Sequence, residues 1–278
     1  MPACYRHPGR ETNVGCSNCG RPICPDCMTS TPVGMRCPEC ARERTKVVRS
    51  PAGLGAGAAP VTFALIAINV VAYLAEMVGG GSSALDGGGS VIVDFGLFGP
   101  AVDDGDWYRI VTGGFLHAGL LHLGFNMFAL YFLGTLLEPA IGPWRFAGLY
   151  LVSLLGGSFG ALLLDPLELT VGASGAVFGL MAAAFLTARN RGLDDLASQI
   201  GFFVVINLVF TFSIPNISIG GHLGGLAAGG LAALAIAAGE RRGREGRLIE
   251  WGAIVVLGTV AVAGCMIAAA DSVPAGVG

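Results

Sequence analysis

Charge is what this sequence has least of. Asp, Glu, Lys and Arg together make up 13% of its 278 residues, against about a quarter in an ordinary soluble domain. With 53% hydrophobic residues and a mean hydropathy of +0.69, a wholly soluble globular protein is excluded. The net charge of −3 gives a nucleic-acid partner no electrostatic support. Histidine is scarce, with four in the chain, and beyond Cys40 there is a single cysteine, Cys265. No positive segment followed directly by an apolar run opens the chain, so no cleavable signal peptide is expected. There is no HExxH motif and no pair of aspartates inside an apolar run, which removes zinc-protease and aspartyl-protease chemistry within a membrane.

Apolar runs of membrane-spanning length, about 17–25 residues, are plentiful. They lie near 61–78, 117–137, 145–164, 172–189, 197–214, 219–238 and 250–270. The 45 glycines suit helices that pack closely in lipid. Eight of the sixteen Lys and Arg residues precede residue 50. Arg145, Arg189, Arg191, Arg241, Arg242, Arg244 and Arg247 fall in loops on that same side of a seven-span layout, and only Arg109 falls opposite. By the positive-inside rule the N-terminus is cytoplasmic and the C-terminus outside. The expected location is an integral, multi-pass protein of a bacterial plasma membrane. The long first connection, about 79–116, contains SVIVDFGLFGPAV. Its intermittent apolar residues suit the membrane interface on the outer face.

The first 45 residues differ in kind. Cys4 and His7, Cys16 and Cys19, Cys24 and Cys27, and Cys37 and Cys40 are each spaced by two residues. Four such pairs in 37 residues point to metal ligation in a reducing compartment, not to disulfides. Eight ligands suit two tetrahedral Zn²⁺ sites. So short a segment has little core, and metal would supply its folding energy. A cross-braced arrangement places Cys4, His7, Cys24 and Cys27 on one ion and Cys16, Cys19, Cys37 and Cys40 on the other. Sequential pairing is the alternative. With no ligand position left open the zinc would be structural, and the module's expected role is to bind a cytoplasmic protein partner. Residues 46–60, rich in Gly, Ala and Pro, read as a linker.

Polar residues inside the spans carry the chemistry. His122 and Asn126 are four apart and share a face of the second span; alone they read equally well as an interhelical hydrogen-bond pair. Ser174 opens the fourth span in GASGAVFG, between Gly172 and Gly175. Free N–H groups at a helix start suit a developing negative charge, although a lone GxSG in a membrane helix is more often a packing surface. His222 stands in GGHLGGLAAGG, where Gly225 and Gly229 allow close helix approach. Ser174, His222 and the His122/Asn126 pair all lie toward the outer ends of even-numbered spans. A serine becomes a nucleophile when a base takes its proton. No acid sits at that depth to complete a triad, so a Ser–His dyad is the simplest arrangement. Phe178, one turn after Ser174, could hold the His222 ring by stacking.

These segments resemble the rhomboid family of intramembrane serine proteases. The resemblance rests on WYRIVTGGFLHAGLLHLGFNMFALYFLGTLLE, RFAGLYLVS, GASGAVFG and GGHLGGLAAG, in the family's order, over roughly residues 60–238. It implies an all-α polytopic membrane protein, with a six-helix catalytic core over 61–238. A cytoplasmic basic loop and seventh span follow over 239–278. On its four Cys/His pairs, the segment 1–45 separately resembles a B-box-like or RING-like zinc module. The rhomboid resemblance implies Ser174 as nucleophile and His222 as general base. His122, Asn126 and the Ser174 N–H would form the oxyanion hole, with the Gly172 backbone shaping the site. No cofactor is implied for catalysis. The implied substrates are transmembrane segments of other proteins, cut near the outer membrane face. Two positions depart from the family's pattern. Tyr108-Arg109, with Trp107 just before, stands where a Trp-Arg pair is usual, and Gly221 stands where Ala commonly precedes the histidine. The alternative is a catalytically silent rhomboid-like scaffold that binds membrane proteins.

Overall fold

The computed structural model describes residues 1–31, 34–42, 59–78 and 89–272. The chain divides into two compact units, Met1–Gly53 and Leu54–Gly278. Most of the expected linker, 46–60, lies outside the described residues.

Among its described residues the first unit has little regular structure. A 3-10 turn spans Pro25–Cys27. Strand β1 (Thr29–Thr31) pairs antiparallel with β2 (Gly34–Arg36), Thr29 opposite Arg36, and helix α1 covers Pro38–Arg42. Its buried cluster is Ile23 with six cysteines. Few apolar side chains are available to offset the entropy of ordering the backbone, so the cysteines must act through something stronger than burial.

The second unit is helical. Helix α2 (Pro60–Val78) is followed by three short helices, α3 (Ser90–Phe95), α4 (Gly99–Asp103) and α5 (Arg109–Thr112). Then come α6 (Leu120–Ile141), α7 (Pro143–Leu164), α8 (Ser174–Asn190), α9 (Asp194–Ser213), α10 (Ile219–Arg241) and α11 (Gly243–Ala270). Six of these are long and apolar enough to cross a membrane. The run expected near 172–189 is α8, seventeen residues long, at the short end of spanning length. The second expected span begins three residues later than placed from the sequence, because His117 precedes α6 in an extended stretch.

Helix α7 is the most buried of the six candidate spans. It packs on α10, α8 and α11, while α2 leans on α6 and α9 on α8. Glycine sets the central spacing. A Cβ on Gly160 would lie 2.1 Å from the Gly220 carbonyl oxygen, and one on Gly225 would lie 2.0 Å from the Gly175 oxygen. Backbones this close admit no side chain, and the close approach maximises dispersion contacts where lipid offers no hydrophobic drive.

The edge helices are pinned by polar groups. The buried residues of α2 are Thr62, Asn69, Tyr73 and Glu76. Near its start, the Val61 and Thr62 N–H groups donate to the Glu138 carboxylate at 2.9 and 2.8 Å, and the Thr62 hydroxyl at 2.7 Å. Unpaired N–H groups of a first helical turn are thereby satisfied by a fully buried anion on α6. Near its other end Glu76 accepts the His117 N–H at 3.1 Å. Arg145 makes a forked pair with buried Glu250 at 2.7 and 2.9 Å and reaches Glu240 at 3.2 Å. It ties the start of α7 to the end of α10 and to α11.

Candidate active site

The described part of the segment between α2 and α6, residues 89–119, is held as a shaped loop. Arg109, 8% exposed, donates to the carbonyls of Val93 at 2.6 Å and Gly96 at 3.1 Å and pairs with Asp106 at 3.0 Å. Tyr108 is the ring that anchors it: its hydroxyl donates to the Asp94 carbonyl at 3.2 Å, and it packs against Phe95 with centroids 5.7 Å apart. Trp107 is exposed. Leu97 and Thr170 exchange both backbone hydrogen bonds, at 3.0 and 2.9 Å, and the Gly172 N–H donates to Gly113 at 3.0 Å. The stretch entering α8 is thus fastened to the loop before α6.

Ser174 is the first residue of α8, so its N–H is one of the donors that an α-helix leaves without an internal partner. Gly172 has φ +127°, and a Cβ there would lie 2.8 Å from His122 Nε2 and 3.7 Å from Ser174 Oγ. Glycine keeps open the space between these two polar atoms. The Ala118 N–H donates to His122 Nδ1 at 3.3 Å. That nitrogen is therefore the acceptor, and the ring proton sits on Nε2, facing the gap. Asn126 is buried and donates to the His122 carbonyl at 3.0 Å. The pair is bonded along one helix, not between helices, and one amide proton of Asn126 is left over.

His222 sits in the first turn of α10. The Phe178 ring stacks on it, centroids 4.1 Å apart at 20°. Its Nδ1 lies 2.7 Å from the hydroxyl of Thr211 on α9. Ser174, His222, His122, Asn126 and Gly172 all line one cavity of about 500 Å³. All five site residues read from the sequence are thus brought together. Thr211 was missed; its spacing of four from Asn207, on an otherwise apolar run, was the available signal.

In the N-terminal unit, Cys4, His7, Cys24 and Cys27 form one cluster, and Cys16, Cys19, Cys37 and Cys40 a second. This is the cross-braced grouping. Ligand atoms within each lie no more than 4.8 Å apart. His7 Nδ1 is 3.3 Å from Cys24 Sγ, and Cys19 and Cys37 Sγ are 3.8 Å apart. Tetrahedral zinc with Zn–S of about 2.3 Å needs sulfur–sulfur edges of about 3.8 Å, so the donor sets fit such an ion. The Cys37 N–H donates to Cys16 Sγ at 3.3 Å, and backbone donors from Cys37 and Cys19 hold the Cys16 thiol down at about 6, in the thiolate range a metal requires.

Six helices long and apolar enough to cross a membrane, with Ser174 at the start of α8, a ring-stacked histidine and a second histidine lining one cavity, define a polytopic helical membrane protein with a polar site inside its bundle. The Rhomboid domain family model matches residues 104–239. The chain is 34% identical over 179 residues to the rhomboid protease GluP of Bacillus subtilis, covering 63% of this chain and 34% of GluP. It is 34% identical over 148 residues to YdcA of Bacillus subtilis, covering 51% of this chain and 73% of YdcA. RHOMBOID-like protein 5 of Arabidopsis thaliana is 36% identical over 136 residues, 46% of this chain and 43% of that protein. The chain thus spans a third of GluP and under half of the Arabidopsis relative. It belongs to the rhomboid family.

Proposed function

We propose that the chain is an intramembrane serine endopeptidase cutting transmembrane segments of other membrane proteins near the outer membrane face. The observation that carries this reading is the single cavity lined by Ser174, His222, His122 and Asn126. Ser174 Oγ attacks a backbone carbonyl of the substrate while His222 Nε2 takes its proton. The oxyanion accepts from His122 Nε2–H, the free Asn126 amide proton and the Ser174 N–H. His222 then hands its proton to the leaving amine, and water, activated by the same ring, hydrolyses the ester. A helical substrate must unwind to expose its carbonyl, so segments with helix-destabilising residues are favoured. The exposed Val93 and Phe95 of α3 support an interfacial place for the first loop.

The positive charges support an N-terminus in the cytoplasm and a C-terminus outside, and the likeness to two Bacillus subtilis proteins supports a bacterial plasma membrane. Residues 1–45 act as a module with two structural zinc ions and a cytoplasmic protein partner, residues 61–238 as the catalytic core, and 239–278 as the basic loop and last span. Labelling the purified full chain in detergent with a fluorophosphonate probe tests the activity. Wild type is expected to label, and Ser174→Ala and His222→Ala are expected to lose labelling without loss of thermal stability. A well-folded wild type that stays unlabelled would favour a silent scaffold. Chelation with EDTA is expected to release about two zinc ions per chain, read by atomic absorption, and to make residues 1–45 protease-sensitive while serine labelling persists.

A further inference from the structure

Thr211 contributes a buried polar side chain to an otherwise lipid-like helix. Of the twenty residues in α9, Ala197, Ile200 and Thr211 are the buried ones. Thr211 is 2% exposed, and its hydroxyl lies 2.7 Å from His222 Nδ1. The same hydroxyl donates to the Asn207 carbonyl at 2.7 Å, one turn back on α9. A hydroxyl has one proton. If that proton goes to Asn207, the oxygen can only accept from His222, and Nδ1 carries the ring proton. The lone pair is then on Nε2, the other ring nitrogen.

We infer that Thr211 is a positioning residue for the proposed Ser174–His222 pair, fixing His222 as the Nδ1–H tautomer and so directing its basic Nε2 into the cavity. The inference rests on the serine-hydrolase reading of the site. In the imidazolium formed after proton transfer both nitrogens are donors, and the Thr211 oxygen remains an acceptor because Asn207 continues to take its proton. The bond therefore persists through the step without rearrangement, as a preorganised dipole should. Phe178 fixes the plane of the ring by stacking, and stacking is indifferent to which nitrogen is protonated. Thr211 supplies that selection, a task an acid performs in a triad. The third group comes from α9, whereas the serine and the base come from α8 and α10.

Two readouts test this on the full chain in detergent. In wild type, ¹⁵N-imidazole spectra, with the His222 signals assigned by their loss in His222→Ala, are expected to show Nδ1 protonated and Nε2 bare. The reverse tautomer would overturn the proposal without any variant at Thr211. Thr211→Val keeps the shape and removes the acceptor. It is expected to give a tautomer mixture and to slow the maximal fluorophosphonate inactivation rate about tenfold, the factor of one neutral hydrogen bond, with half-saturation by the probe unchanged. Thr211→Ser is expected to restore both. A Val variant with the wild-type rate, or a Ser variant no better than Val, would overturn it. Should Val fail to fold, Thr211→Ala beside Thr211→Ser gives the same comparison. A wild type that never labels would sink the hydrolase reading, and the spectrum would still decide the bond.

Discussion

The middle and the edge of the helical unit are held by different physics. Where α7, α8 and α10 meet, glycine lets backbone lie on backbone, and the attraction is spread over many weak contacts. Along α2 the buried residues are all capable of hydrogen bonding, and a few directed bonds do the holding. The middle tolerates no added volume, while the edge tolerates no lost partner. A seam built on shape is rigid and unforgiving. An edge built on discrete bonds leaves most of the helix surface free to face lipid, as the many exposed apolar residues of α2 and α9 do.

The sharpest way to break this contrast is Gly225→Ala. The added methyl would sit 2.0 Å from a backbone oxygen that cannot swing aside. A loss of about 3 kcal/mol is expected, measured by reversible unfolding in mixed detergent, together with loss of serine labelling, because Gly175 adjoins Ser174. A variant as stable as wild type would mean the seam is softer than its geometry. Glu138→Gln removes a buried charge that takes three hydrogen bonds, and about 2 kcal/mol should be lost. Thr62→Val deletes one of those three and should cost about 1 kcal/mol. If the two edge variants proved equal, the carboxylate would be acting through the hydroxyl alone.

Much of this was legible in the sequence. The apolar runs found six of the long helices to within a few residues because membrane-spanning length is a coarse requirement. His122, Asn126 and His222 stood out as rare polar residues in apolar runs, whereas Ser174, one of several serines in such runs, stood out only in combination with them and through the family resemblance. Cysteine spacing exposed the four ligand pairs, but only the folded unit chose between cross-braced and sequential grouping, since spacing does not record which loops meet. Thr211 and Glu76 escaped notice for a related reason. Each acts on a partner from another element, and a single threonine in a helix or a single glutamate near its end has ordinary local explanations. Tyr108 rather than Trp107 as the loop's anchor was undetermined for want of the carbonyl of Asp94, which only the fold brings near.

The two-bond bridge between Leu97 and Thr170 has a mechanical consequence. It makes the stretch carrying α3 and α4, and the stretch that delivers Ser174 to its helix, parts of one frame. Load applied at the first is felt at the second through stiff backbone rather than through compliant side chains. A shift of α3 and α4 would therefore carry along the main chain to Gly172, the residue that spaces His122 from Ser174.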